Sequence, residues 1–470
     1  VYKRQDEDAE ALDNSFYQFH WQPGRLRGSR VSGPAGFAEP AEIASAVGEG
    51  VRDLYERHQL AKYLGEFVPK VDRLACRCVE ETFQQLGWCP HEGEVFRDDE
   101  LCGRLGIVPE HRRLVSAQLK ALAGDGVLER QGDSWRILKV PGRIDVVAEL
   151  ALLREEYPDY TADLDLFDMA WPRLAEVMTG ETDALEVLFP GGSSEKLEAF
   201  YISGADFPAN NEMLATAVAR AVDTVGGRRA IRILEVGAGT GSLTRSVLDV
   251  IPADRIDYTF TDNGSGFIAE AKRNFEHHHG LEFHNFDIEK DPEAQGIGLG
   301  SFDLILASNV IHATSDLKHT LGQLRRCLDE DGLFMFLEVT RSRSGLDLIF
   351  GLLKGWWQYS DTELRPDSAL LGREQWEAVL AGCGFEGGAS FVNTPDRAEA
   401  GQTGFIAARG SLGQAGADVR DDEGDGARGG DVLVFADGGD LGPAIAARFE
   451  SAGKRVTIES TSTAPSEVLQ

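Results

Sequence analysis

One string constrains this chain more than any other: Ile231-Arg232-Ile233-Leu234-Glu235-Val236-Gly237-Ala238-Gly239-Thr240-Gly241-Ser242-Leu243-Thr244. A β-rich apolar run enters a turn holding three glycines, and a helical stretch follows. Glycine lacks Cβ, so the backbone can take φ > 0 and come close to a ligand. Further β-rich runs stand at 257–261, 281–286, 302–308 and 333–339, separated by helical stretches such as 243–250 and 317–328. This alternation predicts an α/β fold with parallel strands.

The turn departs from the dinucleotide pattern G-x-G-x-x-G, because Ser242 stands where the third glycine belongs. What remains is G-x-G-x-G with Glu235 two residues ahead of it. Gly237, Gly239, Gly241 and Glu235 are therefore candidate cofactor contacts. Asp262 ends the second strand about 20 residues past the loop, the place for an acid on a ribose diol. Asp287 follows the third strand, where a carboxylate can accept an adenine amino group, with Ile288 beside it. The competing reading is a Rossmann-like turn with no ligand.

After the fourth strand comes Asn309-Val310-Ile311-His312-Ala313-Thr314, and the fifth strand holds Phe336-Leu337-Glu338-Val339. Sites in open α/β sheets lie at the carboxyl ends of the strands. His312 and Glu338 both fall there, and Asn309 joins the cofactor candidates. Histidine is the natural base near neutral pH. A neighbouring carboxylate fixes its tautomer and stabilises the imidazolium. A lone histidine would more simply be structural; the partner acid weighs against that.

The rest of the chain is read more coarsely. Residues 41–138 are helical in pattern, with Leu60, Tyr63, Leu64 and Phe67 on one face. Residues 98–140 read as two helices and a hairpin, the shape of a winged helix. Such units often bind DNA, and the second helix carries Arg112, Arg113 and Lys120. The whole chain, however, has 47 Lys+Arg against 78 Asp+Glu, a net charge of −31. That excess argues against nucleic acid and against an anionic membrane. A structural or lid role is expected instead.

No run of 18 apolar residues is present. The six cysteines are scattered, and Cys76 and Cys78 stand too close for a usual metal pair. No metal is expected, and reduced thiols place the chain in a cytoplasm. The start lacks Met, and both ends read as cuts in a longer polypeptide. Residues 410–430 are Gly/Ala/Asp-rich and read as a linker. Asp431-Val-Leu-Val-Phe-Ala begins a fresh β-α-β pattern, with a helix over 441–450 and a strand over 455–459.

The glycine loop, Ser308-Asn309-Val310-Ile311-His312-Ala313-Thr314, Phe336-Leu337-Glu338-Val339-Thr340 and Phe350-Gly351-Leu352-Leu353-Lys354-Gly355-Trp356-Trp357 together resemble the methyltransferase domains embedded in polyketide synthases. The likeness covers about residues 45–410. It implies a class I methyltransferase core with a Rossmann-like, parallel-rich sheet, preceded by a mostly helical lid subdomain. S-adenosylmethionine is the implied cofactor. By the same likeness His312 is the base that removes the α-proton of a β-ketoacyl thioester on an acyl carrier protein. Glu338 orients it, and Tyr201 lines the pocket. At the second strand the family carries Thr-Asp-Ile/Val-Ser, whereas this chain has Thr261-Asp262-Asn263-Gly264-Ser265. The Trp356-Trp357 pair reads either as tunnel lining or as two core aromatics.

The flanks resemble pieces of a non-catalytic ketoreductase subdomain: its first strand in Phe16-Tyr17-Gln18-Phe19-His20-Trp21, and a partial second Rossmann-like unit from Asp431. The implied layout is 1–44 first strand and linker, 45–200 lid, 201–409 core, 410–430 linker and 431–470 truncated unit. The implied partners are an acyl carrier protein and neighbouring synthase domains. O-methylation of a β-hydroxyacyl chain and an inactive scaffold remain open alternatives. Carrier proteins are themselves acidic, so docking is expected on a local basic patch near the tunnel mouth.

Overall fold

The computed structural model describes residues 36–410, except 141, 143, 194, 226–228, 279 and 397–399, together with two strands further on, 431–436 and 455–460. The aromatic run at 16–21, the 411–430 linker and the expected 441–450 helix lie outside the described residues. The chain divides into two units, one ending at Leu412 and one beginning at Gly413.

Seven strands build the central sheet of the first unit: β4 (Ile231–Val236), β5 (Ile256–Asp262), β6 (Leu281–Asn285), β7 (Phe302–Ser308), β8 (Leu328–Val339), β9 (Glu386–Phe391) and β10 (Gln402–Ala408). Their order is β6-β5-β4-β7-β8-β10-β9. The first five are parallel, and β10 runs antiparallel to both β8 and β9. Chain order reverses between β4 and β7, the switch point where ligands bind in open sheets.

The sheet is buried on both faces because successive side chains alternate. Ile233, Leu306, Met335 and Leu337 face one layer, formed with helix Pro40–Arg57, helix Asp206–Thr224 and helix Ser242–Val250. Leu234, Ile305, Phe334 and Phe336 face the other, covered by helix Leu317–Cys327 and helix Arg373–Gly382. In that layer Phe336 stacks on Phe334 at 4.5 Å and on Phe405 at 5.0 Å. At the opposite end from the site, Asp303 is fully buried between Arg229 and Arg232 at 2.6 and 2.7 Å. Burial pushes its carboxyl up, but the two guanidiniums outweigh that and hold it at about 2.

The helical region has its own core, running from Tyr63 to Phe207. It contains the winged-helix shape: helix Asp98–Leu105, helix Arg112–Gly124, and a small sheet of β1 (Val95–Phe96), β2 (Leu128–Gln131) and β3 (Ser134–Ile137) in the order β1-β3-β2. Two boundaries differ from the expected layout. Helix Pro40–Arg57, expected to fall mostly in the lid, packs on the sheet layer through Ile43, Val47 and Leu54. Conversely, Leu346, Leu348, Ile349, Leu352 and Trp357, expected in the methyltransferase core, pack into the helical region. Periodicity marks which face of a helix is apolar, not which layer covers it.

In the second unit, β11 (Asp431–Ala436) and β12 (Arg455–Ser460) pair in parallel, with Asp431 opposite Arg455.

Candidate active site

The carboxyl ends of β4, β5, β7 and β8 carry the candidate residues, and two groups form. The first surrounds the glycine turn. Gly237, Gly239 and Gly241 all adopt positive φ, at 58°, 53° and 74°. A Cβ on Gly237 would stand 2.5 Å from a Val310 methyl, so only glycine fits. A Cβ on Gly239 would meet nothing nearer than 3.9 Å, so this residue leaves open space beside the turn. Asp262 lies against the loop: its Oδ2 accepts from the Gly239 N–H at 3.0 Å and its Oδ1 from the Gly264 N–H at 2.7 Å. Burial raises its carboxyl pKa, and the two N–H donors oppose that. Two accepted bonds leave lone pairs for a diol. The donor at Gly264 is a main-chain N–H that any non-proline residue would bring, so the Asn263-Gly264 departure does not remove it.

Glu235 requires a correction. It is buried beneath the loop, and its Oε2 accepts from Thr244 Oγ1 at 2.5 Å and from Tyr258 Oη at 2.7 Å. It braces strand, loop and helix from below, while the cradle above is backbone. Burial pushes its carboxyl up to about 7, against the pull of the two hydroxyls. Asn309 is also reassigned. At φ 57° it turns the chain after β7; its amide N–H donates to Gln402 Oε1 at 2.9 Å and its Oδ1 accepts from the Val339 N–H at 2.9 Å. Both ends of the side chain are thus occupied by the sheet. Asp287 accepts from the Glu289 N–H at 3.0 Å and pairs with Lys290 at 3.0 Å; Ile288 is buried among Phe286 and Ile297.

The second group is the dyad. His312 sits in a short 3-10 turn, Ile311–Ala313, and is 6% exposed, while the Glu338 side chain is fully buried. His312 Nδ1 and Glu338 Oε2 stand 2.5 Å apart. Glu338 Oε1 accepts from the Ile311 N–H at 2.8 Å and from the His312 N–H at 3.2 Å. Three donors on one carboxylate set the turn and place the ring proton on Nδ1. Nε2 is left with its lone pair, as a base requires.

Trp356 meets the His312 ring edge-on at 5.2 Å and stacks on Phe350 at 6.0 Å. Trp357 is core, its indole N–H donating to Gly351 O at 2.7 Å. Trp356 thus packs against the histidine, and Trp357 belongs to the core of the helical region. Tyr201 lies in helix Glu195–Ser203 and joins the same aromatic chain through Phe200, which contacts Phe350 at 6.0 Å. Burial pushes its phenol up to about 12.

Sequence reasoning missed a polar bridge behind the loop. Asn211 donates to Ser242 Oγ at 2.9 Å and accepts from Ser308 Oγ at 3.0 Å; Ser242 Oγ donates to Tyr201 O at 3.2 Å. Only Ser242 carried a signal, as the residue replacing the third glycine. Two lysines of the chain are paired: Lys354 with Glu110 at 3.2 Å and Lys120 with Asp367 at 3.0 Å.

The open side of Gly239 and the remaining lone pairs of Asp262 fit a nucleoside ligand such as S-adenosylmethionine. Among the described residues no helix is long and apolar enough to cross a membrane.

Comparisons bear on this geometry. A family profile described as "Methyltransferase domain" matches residues 234–334. A non-reducing polyketide synthase of Penicillium brevicompactum is 31% identical over 327 residues, covering 68% of this chain and 13% of the relative. The CurJ carbon methyltransferase structure is 32% identical, covers 79% of this chain and 100% of its own, and has a TM-score of 0.75. The CMeT domain of the citrinin polyketide synthase is 25% identical with a TM-score of 0.69, covering 80% and 99% of the two chains. The chain spans about an eighth of the length of the curated relatives it matches.

Proposed function

Because the chain belongs to the carbon methyltransferases of polyketide synthases, we propose that it methylates the α-carbon of a β-ketoacyl thioester held on an acyl carrier protein by a phosphopantetheine arm, with His312 as base. The observation that carries this reading is the His312 Nδ1–Glu338 pair at 2.5 Å, with Glu338 also bonded to the turn that bears the histidine. The cofactor S-adenosylmethionine supplies an electrophilic methyl group when bound. Gly237, Gly239, Gly241 and Asp262 would hold it.

An α-carbon between two carbonyl groups is acidic enough for an imidazole to deprotonate. His312 Nε2 takes the α-proton, and the electron pair of the broken C–H bond passes into the enolate. The α-carbon then forms the new C–C bond to the methyl group, whose bond to sulfur would break with S-adenosylhomocysteine as the leaving group, and the proton leaves His312 for solvent. Glu338 holds the ring in the correct tautomer and offsets the imidazolium charge. Trp356, seated against the histidine, and the helical region keep water from the enolate.

The parent is proposed to be a cytoplasmic multidomain synthase. Residues 431–470 are proposed to open a structural ketoreductase piece. The parallel β11–β12 pair supports this, since parallel neighbours need a crossover segment between them.

The test supplies S-adenosylmethionine with acetoacetyl- and β-hydroxybutyryl-carrier protein side by side and reads product mass. One methylene gained on the β-keto chain alone is expected. Gain on the β-hydroxy chain alone would favour O-methylation. No gain, with no binding of millimolar S-adenosylmethionine, would favour a scaffold. His312→Ala is expected to lower kcat by about 10²–10⁴.

A further inference from the structure

Arg365 is a fully buried arginine outside every motif used above. Its Nη1 donates to the carbonyl of His312 itself at 2.7 Å. Its Nη2 donates to Thr314 O at 2.8 Å and Ser315 O at 3.2 Å. Its Nε pairs with Asp361 Oδ1 at 2.6 Å, and Asp361 Oδ2 accepts from the Leu317 N–H at 3.0 Å. Three bonds from one planar group, and a fourth relayed through Asp361, thus hold the chain that carries the base, from His312 to the start of helix Leu317–Cys327.

The opposite side of this contact leads into the helical region. The Arg365 guanidinium lies over the Tyr359 ring at 4.7 Å, and Arg113 lies over the same ring at 4.3 Å. Arg113 stands in helix Arg112–Gly124 of the winged-helix unit and also donates to Trp357 O at 2.6 Å and Tyr359 O at 3.1 Å. One tyrosine ring thus meets two guanidiniums, Arg113 and Arg365.

A buried ion pair is weak grounds for stability, since apolar groups of like volume often serve as well or better. Three carbonyls and a carboxylate around one side chain match the planar fork of arginine and not the point charge of lysine. From this we infer that Arg365 is a positioning residue for His312, and that Arg113 and Tyr359 tie that position to the helical region. The inference rests on the reading of His312 as base. It assigns Arg113, one of the three basic residues of helix Arg112–Gly124, an internal task.

The test measures kcat and KM on the β-ketoacyl carrier substrate and S-adenosylmethionine Kd by calorimetry. Arg365→Lys is expected to lower kcat about 100-fold, the scale of an ångström of misplacement, with Kd within about twofold of wild type and KM within about threefold. Tyr359→Leu, which leaves every hydrogen bond of Arg365 available, should lower kcat about tenfold, and Tyr359→Phe should restore it because the ring face remains. Adding Arg113→Met to Tyr359→Leu should cost less than Arg113→Met costs alone, because only its two main-chain bonds then remain to be lost. Arg365→Lys with kcat within about threefold of wild type would overturn the assignment. So would a cofactor affinity that falls as far as kcat. If Arg365→Lys does not fold, Tyr359→Leu decides: full activity there sinks the inference. Independent, additive losses would sink the link to Arg113. A fully active His312→Ala protein would instead sink the base assignment itself, whatever Arg365→Lys does.

Discussion

Glu235 is a carboxyl group in a place that disfavours its charge. It is fully enclosed, with a pKa raised to about 7, while in the unfolded chain it would titrate near the ordinary carboxylate value. Between those values the folded protein keeps a proton that the unfolded chain releases. Stability therefore falls as pH rises through this window, and the loss is complete above it. Glu235→Gln stays neutral and can still accept from Thr244 and Tyr258. At pH 8 it should be more stable than wild type by about 3 kcal/mol, with the difference vanishing near pH 4. Calorimetric melts across pH check this; parallel curves would contradict it. At this scale His312 and Glu338 were legible because strand ends can be read from β-rich runs, and acids and bases at strand ends carry a reason to be there. Arg365 and Asn211 were not. Their partners, His312 O and Ser308 Oγ, lie far away in the chain, and nothing local in either residue's neighbourhood points to them.

At the scale of elements, the turn after β4 makes the firmest statement. Its first glycine combines φ 58° with a Val310 methyl 2.5 Å from where a Cβ would stand. Gly237→Ala should weaken S-adenosylmethionine binding at least tenfold, by left-handed strain of about 1–2 kcal/mol plus the clash. Gly388→Ala, in β9 with no atom within 4 Å of an added Cβ, should leave binding unchanged. Titration calorimetry on both variants is the check, and equal affinities would remove the cradle role of the turn. Strands β4 to β7 were legible to within a residue, whereas β9 and β10 were not read from the sequence and β8 was read only from Leu333. That strand reaches back to Leu328 through the polar run Asp329-Glu330-Asp331, which no hydrophobic pattern would mark. The helical stripe through Tyr63 and Phe67 hid a π-helical turn, Tyr63–Phe67, because a wider turn still keeps apolar residues on one side.

For the whole molecule, the two layers share the site and neither holds it alone. The sheet supplies His312, Glu338 and the glycine turn. The helical region closes on them through Phe200, Phe350 and Trp356, and segment 344–357 crosses from one to the other. That crossing explains why a division by sequence order misplaced both helix Pro40–Arg57 and the Leu346–Trp357 stretch. Burial is decided in three dimensions, and segments far apart in sequence share one layer. The charge of −31 is likewise not a docking force toward an acidic carrier protein, since like charges repel. The central claim is that His312 takes a proton from the α-carbon. The direct measurement is α-hydrogen exchange of acetoacetyl-carrier protein in deuterated water with no methyl donor present, followed by mass. The wild-type protein should exchange the α-hydrogens well above the enzyme-free rate, and His312→Ala should fall to that background. Equal exchange by both proteins would contradict the account.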